Sequence, residues 1–456
     1  MAKDGTIHWL MHAVADSLGS LNAQLEVQKL EEISVMLFRS LMRKERLFHS
    51  IRHVSELSED GRAHFTLAAL FHDQVYYQVD LGFTDEVLNI LDPYIETKVS
   101  EASPLGDIYL RKDLPDDPIS RLNLSIFSMK AGQILSPFGG LNEVLSSIVM
   151  TRCLMDLISL QDILHIATMI EATIPFRGPN KQGVDHFEVL YERLVNTAKQ
   201  LNIDLDDTTC TKIIEESVEF ANKDVFNFSA EDPRDFLDNT WALLPENNLS
   251  LRNRYVYTIG EYRNAIMKMH GFFHFLNADN VFHKYGAMPE TSQFEHLKAA
   301  AHRNVEIAKE YIDVKLLTII ILESLALSTG DDVPISLFMG GLPNVERNVK
   351  RLEHFLPAPK IDLNAPVDPV ILLLDEGRKQ DSSFDIKNAP LSLFVHSTLS
   401  KDELKRLLEI AKDLPNDALD HDAFLRSLPQ RLIGPIAQAT SEMVFSRREV
   451  LRRYVH

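Results

Sequence analysis

ERLFHSIRHVSELSEDGRAHFTLAALFHDQVYYQVD, residues 45–80, sets His49, His53, His64, His72, Asp73 and Asp80 among apolar side chains at helical spacing. The pattern predicts a helix over Leu47–Leu57. His49 and His53, four residues apart, then share one face with Cβ atoms about 6 Å apart. The run Leu67 to Phe71 is apolar enough for a buried helix and delivers His72 and Asp73 at its far end. Two adjacent ionisable groups at the edge of a core need a partner, because burying a charge alone is costly.

Outward from this segment the same periodicity continues. Leu30, Ile33, Leu37 and Leu41 form one apolar stripe, and similar stripes recur through most of the chain. The expectation is an all-α fold. Val370–Leu374 is the one run with strand-like composition. Ser400 followed by Glu403 is a capping-box pattern opening a helix. Ser100–Asp117 reads as a polar connection between helical blocks, a lid or a surface crossover. Breaks near Leu244–Asn248 and over Pro357–Pro369 divide the chain, and the first gives two domains, residues 1–245 and 246–456.

Composition narrows the classes of function. The formal charge of −19 repels nucleic acid duplexes and anionic membranes, so an anionic substrate requires a local cation. Cys153 and Cys210, both in apolar helical segments, support neither a disulfide framework nor a thiolate metal site, which fits a reducing cytoplasm. Met1–Gly5 lacks the basic start of an export signal, and Leu316–Leu327, interrupted by Glu323, falls short of the roughly 20 residues a membrane span needs. No fixed-period repeat occurs.

Imidazole nitrogen combined with carboxylate oxygen suits Mn, Fe, Ni, Co or Zn rather than Mg or Ca. Such an ion lowers the pKa of its bound water towards 7 and supplies a hydroxide nucleophile. The sequence offers no G-x-S-x-G motif and no cysteine with a nearby histidine as an alternative nucleophile.

On H49-S-I-R-H53 and F71-H72-D73-Q-V-Y76 the chain resembles the HD superfamily of metal-dependent phosphohydrolases. The resemblance implies an HD-type helical domain followed by a second helical domain. It implies metal ligation by His53, His72 and Asp73, with His49 as general acid to the leaving oxygen. The family also takes an aspartate from a later helix, and Asp224 in EESVEFANKDVFNF, beside the stripe Val218, Ala221, Val225, Phe228, is the best candidate. The implied reaction is hydrolysis of a phosphate ester by a metal-bound hydroxide, with a nucleotide or cyclic nucleotide as the small-molecule substrate. A homo-oligomer is compatible with it. The rivals are a non-catalytic HD-type sensor of a nucleotide or ion, and a di-iron HD-type oxygenase.

Further residues extend the candidate site. Glu171, between Ile170 and Ile174 on an apolar helix, is a support for the ligands, a ligand of a second ion, or a structural partner of an arginine; Asp80 is placed with it. Lys130, Arg177 and Lys223 are candidates for binding substrate phosphate. The glycines of Ser136–Glu143 open a helix, either as an anion-binding turn or as an ordinary start. His270 and His274 sit four apart, but Gly271 and the lack of a nearby Asp or Glu favour core packing.

Overall fold

The computed structural model of the chain describes residues 6–253, 256–340, 350–359, 368–382, 384–412, 414 and 420–456. Met1–Gly5 and the centre of the Pro357–Pro369 break lie outside the described residues. Among the described residues the protein is all-α, with one two-stranded ribbon as its sheet. Two compact units emerge, one of Met1–Phe228 with Asn277–Ala299, the other of Ser229–Leu276 with Ala300–His456. The sequence boundary at 245 falls inside the second of them.

The first unit contains α1 (Ile7–Ser20), α2 (Val27–Leu41), α3 (Ile51–Leu57), α4 (Ala63–His72), α5 (Tyr77–Asp80), α6 (Asp85–Leu91), α7 (Pro118–Ile126), α8 (Leu141–Leu154), α9 (Leu160–Ala172), α10 (His186–Gln200) and α11 (Asp207–Asp224). At its centre is α4. Leu67, Ala68, Ala69, Leu70 and Phe71 have no exposed surface, because α1, α3, α8 and α9 pack around them. A helix apolar on every side is a core helix, and its polar end therefore opens onto whatever the core surrounds. α11 packs against α9, α10 and α3, and the Asp206 side chain starts it by accepting from Thr209 N at 2.7 Å.

Gly140, before α8, has φ +87°, and a Cβ there would lie 2.4 Å from Ile174 Cδ1. Both the left-handed backbone and the close approach demand glycine. Gly140→Ala is expected to cost about 2 kcal/mol of stability, read as a lowered denaturant midpoint. An unchanged midpoint would show that this turn relaxes freely.

Two expectations of the sequence are corrected. Val370–Leu374 lies in the helix Pro369–Asp375, not in a strand: the Asp368 side chain accepts from Val370 N at 2.8 Å, and Pro369 sits in the first turn, where no N–H is needed. The ribbon instead pairs β1 (Ile95–Lys98) with β2 (Asp107–Leu110), antiparallel, in register Ile95 with Leu110 and Lys98 with Asp107. It occupies part of the stretch read as a polar connection.

The second unit includes α12 (Pro233–Trp241), α13 (Leu243–Asn247), α14 (Ile259–Phe275) and much of α15 (Thr291–Thr329), followed by shorter helices. Two of its largely buried carboxylates form ion pairs. Asp385 meets Lys315 at 3.2 Å and Glu323 meets Arg263 at 2.9 Å. The capping box at Ser400 forms as expected, with Glu403 N on Ser400 Oγ and Ser400 N on Glu403 Oε2. Leu316–Leu327 belongs to α15, and no helix among the described residues is long and apolar enough to cross a membrane.

Candidate metal centre

Three elements of the first unit converge: α3 carries His53, α4 ends in His72 with Asp73 as its C-cap, and α11 ends in Asp224. His53, His72 and Asp224 each offer one ligand atom, and these atoms lie within 4.8 Å of one another. Asp224 Oδ1 is 2.9 Å from His53 Nε2 and 3.5 Å from His72 Nε2. Asp73 stands beside this triad, its Oδ2 3.0 Å from His72 Nε2. His53, Asp73 and Asp224 keep 14–17% of their side-chain surface exposed, so the cluster is reachable from solvent while His72, at 2%, closes its inner side.

The His72 ring decides what the cluster needs. Its Nδ1 lies 2.9 Å from the Ala69 carbonyl, which can only accept, so Nδ1 carries hydrogen. The other ring nitrogen, Nε2, faces the Asp73 and Asp224 carboxylates. That arrangement calls for positive charge at Nε2, supplied either by a proton on the ring or by a metal cation in its place. Nε2 of His72, Oδ2 of Asp73 and Oε2 of Glu143 are all buried without a hydrogen bond. The donor set, two imidazoles with carboxylates, matches a divalent transition metal. Burial pulls the His72 imidazole down, but Asp73 and Asp224 outweigh it and hold the ring well above its ordinary value. Burial likewise opposes ionisation of Asp224, yet His53 and His72 bring its carboxyl down to about 2. Asp73 is held below the carboxylate range against burial by His72, His49 and His53.

His49 reaches this neighbourhood by a different route from the one expected. The helix begins at Ile51, and residues 47–50 form a bend, so the shared helical face of His49 and His53 does not exist. The cause is tertiary. Arg46, fully buried, donates to the Asp73 carbonyl at 2.5 Å and grips the Asp80 carboxylate at 2.9 and 2.6 Å, while Arg43 donates to the Asp80 carbonyl. These bonds pull the chain out of helix before α3. The His49 ring then packs edge-on against Tyr76, with centroids 4.3 Å apart, and Phe48 touches both His49 and His53.

The turn after α4 is held from several sides. Val75 N donates to Ser146 Oγ, Tyr77 N to Asn142 Oδ1, and Gln74 Nε2 to Ser40 Oγ. Asn142 and Ser146 belong to α8, so the glycine turn at 139–140 serves as a helix start that anchors the His-Asp corner. Glu143, one turn into that helix, went unnoticed in the sequence. Burial and the nearby Asp73 charge push its carboxyl up to about 7, partly offset by Arg177 and His72. Its signal was only a carboxylate in the first turn of an apolar helix, a position acids favour without any ligand.

The remaining candidates are engaged elsewhere. Asp80 is the partner of Arg46 and so braces Asp73 from behind. Glu171 is enclosed by Arg177, Arg193 and His186 at 2.7, 2.8 and 3.4 Å. Lys223 pairs with Asp60 at 2.6 Å and Glu219 at 3.6 Å. Asn222 exchanges two hydrogen bonds with the His283 backbone, and Lys130 is exposed. No known family, curated protein or solved structure matches the chain.

Proposed function

We propose that the first unit is an HD-type, metal-dependent phosphohydrolase site in which His53, His72, Asp73 and Asp224 hold a divalent transition metal, one of Mn, Fe, Ni, Co or Zn. The carrying observation is the convergence of His53, His72 and Asp224 ligand atoms within 4.8 Å, with His72 Nε2 turned toward the Asp73 and Asp224 carboxylates and its other nitrogen fixed on a backbone carbonyl. When bound, such an ion lowers the pKa of a coordinated water and draws charge from a phosphate oxygen.

The chain's own residues then act as follows. His49 stands outside the ligand triad and is held by Tyr76 and Phe48, which suits it to protonate the leaving oxygen. Arg46 fixes the Asp73 backbone, and the Asn142 and Ser146 side chains fix the residues after it, so the corner keeps its shape as substrate enters. Arg177 and Lys223, expected to bind phosphate, are committed to Glu171 and to Asp60, so in a chain of charge −19 substrate affinity depends chiefly on the ion. The substrate class this supports is a small phosphate ester, and the HD resemblance favours a nucleotide.

Metal analysis of the purified protein followed by a panel of phosphomonoesters and cyclic nucleotides tests the proposal. His49→Ala is expected to retain metal and lose about 100-fold in kcat. Equal loss of metal in that variant would make His49 a ligand. The buried Glu143 carboxylate favours one second reading, a di-iron oxygenase, since an additional acid beside the cluster suits a second ion. Two irons per chain with oxygen uptake, and no ester hydrolysis, would establish that reading instead.

A further inference from the structure

We propose that His270, His274 and Asp313 form a separate divalent-metal site of zinc type in the second unit. His270 and His274 lie on α14 and Asp313 on α15, within the portion that belongs to that unit. The site does not depend on the reading of the first unit.

The helix supplies the geometry. Residues four apart on α14 point to one side, and the two imidazoles lie nearly face to face, centroids 4.2 Å apart and planes 33° apart. Their Nε2 atoms converge on one carboxylate oxygen, Asp313 Oδ1, at 3.0 Å from His270 and 2.7 Å from His274. One ligand atom from each residue lies within 4.8 Å of the others. The sequence argued against a site because no acid was near. The acid arrives from 39 residues beyond His274.

The contacts leave one imidazole unserved. His274 Nε2 makes a hydrogen bond to Asp313, whereas His270 Nε2 is buried and makes none, although it lies 3.0 Å from the same oxygen. His270 is 9% exposed, so water does not readily replace the missing partner. Two imidazoles and a carboxylate converging on one point are the donors zinc takes, three protein ligands with a fourth position left for water. That fourth position has a way out, since the His274 side chain is 40% exposed.

Outside the first-unit centre, the other histidine clusters described do not bring two imidazoles onto one carboxylate oxygen, although His165 Nε2 is likewise buried without a hydrogen bond. Around Glu310, Asp368 and His396 the Lys401 ammonium already lies 2.8 Å from Glu310. His64 and His165 each have their own carboxylate, Asp162 and Glu216, at 2.9 Å. In the His270 site no lysine or arginine pairs with Asp313 among the described ion pairs. Bound zinc would clip α14 to α15 across a long sequence separation, so its effect is on stability.

The test uses the full chain carrying Asp73→Ala and Asp224→Asn, stripped with chelator and titrated with zinc chloride and, separately, cobalt chloride. One zinc per chain and a visible cobalt spectrum of four-coordinate type are expected. Adding His274→Ala is expected to weaken zinc binding at least about 100-fold and to abolish the cobalt spectrum. The His274 side chain is 40% exposed, so that variant is expected to keep its fold; Asp313→Asn is a second, shape-preserving check. Zinc that binds equally well to the His274→Ala and Asp313→Asn proteins, or no zinc in their parent, overturns the proposal. In the otherwise unaltered chain, His274→Ala lowers the zinc count by one whether or not the first unit binds metal, which keeps the two sites distinguishable.

Discussion

Asp224→Asn is expected to remove one divalent ion per chain and to abolish phosphoester hydrolysis with it. Asp224 Oδ1 is the anionic oxygen that serves both imidazoles, 2.9 Å from His53 and 3.5 Å from His72. Asparagine preserves the shape of the side chain and its hydrogen bond to His53 but removes the charge, so the loss reports electrostatics rather than packing. Asp73→Ala is expected to have the same consequence, because it takes away the second carboxylate beside His72 Nε2. Two readouts apply. Metal content after exhaustive dialysis falls by one per chain in each variant. With free metal at 100 times Kd, binding contributes about 2.7 kcal/mol of stability, so chelation lowers the wild-type unfolding free energy by about that amount. The Asp224→Asn protein lacks this component of the chelator response. Wild-type metal content in both variants would remove the basis for any hydrolytic role.

The helical class was legible because apolar spacing alone determines it: the stripe of Ile33, Leu37 and Leu41 is buried as its period requires. The convergence of His53, His72 and Asp224 was also anticipated, although 171 residues separate His53 from Asp224. That inference rested on a resemblance, since periodicity says nothing about which helix ends meet. Its local premise failed at His49, where Arg46 bonds to Asp73 and Asp80 override the helical tendency of residues 47–50. Tertiary bonds of this kind leave no periodic trace. The same reason hid Glu143, Ser146 and Asn142, ordinary residues near a helix start until the His-Asp corner is folded against them. It also hid Asp313, whose approach to His270 and His274 joins separate helices. Glu171 was recognised as needing a partner, and among the alternatives considered the fold supplies the arginine pairing.

Glu171→Ala is accordingly expected to destabilise the protein by about 3–5 kcal/mol, the cost of leaving buried cations without their anion. Glu171 has no exposed surface; its carboxylate receives Arg177 at 2.7 and 3.0 Å and Arg193 at 2.8 Å, with His186 at 3.4 Å. Burial raises the Glu171 carboxyl, but Arg177, Arg193 and His186 outweigh it and hold the group well below its ordinary value. Burial pulls the His186 imidazole down, so the two guanidinium groups carry most of the attraction at neutral pH. The sign of the pH dependence follows. A carboxyl whose folded-state pKa is depressed contributes fully above its unfolded value, near 4.5, and loses that contribution as pH falls towards the folded value. Denaturant unfolding of wild type and Glu171→Ala is therefore expected to show a large midpoint difference at pH 7 with similar m, narrowing below about pH 4.5. Replacing Glu171 by Leu together with Arg177 and Arg193 by Met is expected to recover much of the loss, because removing all three charges removes the uncompensated ones. A destabilisation under about 1 kcal/mol accompanied by a lower metal count would instead make Glu171 a metal ligand and overturn its structural assignment.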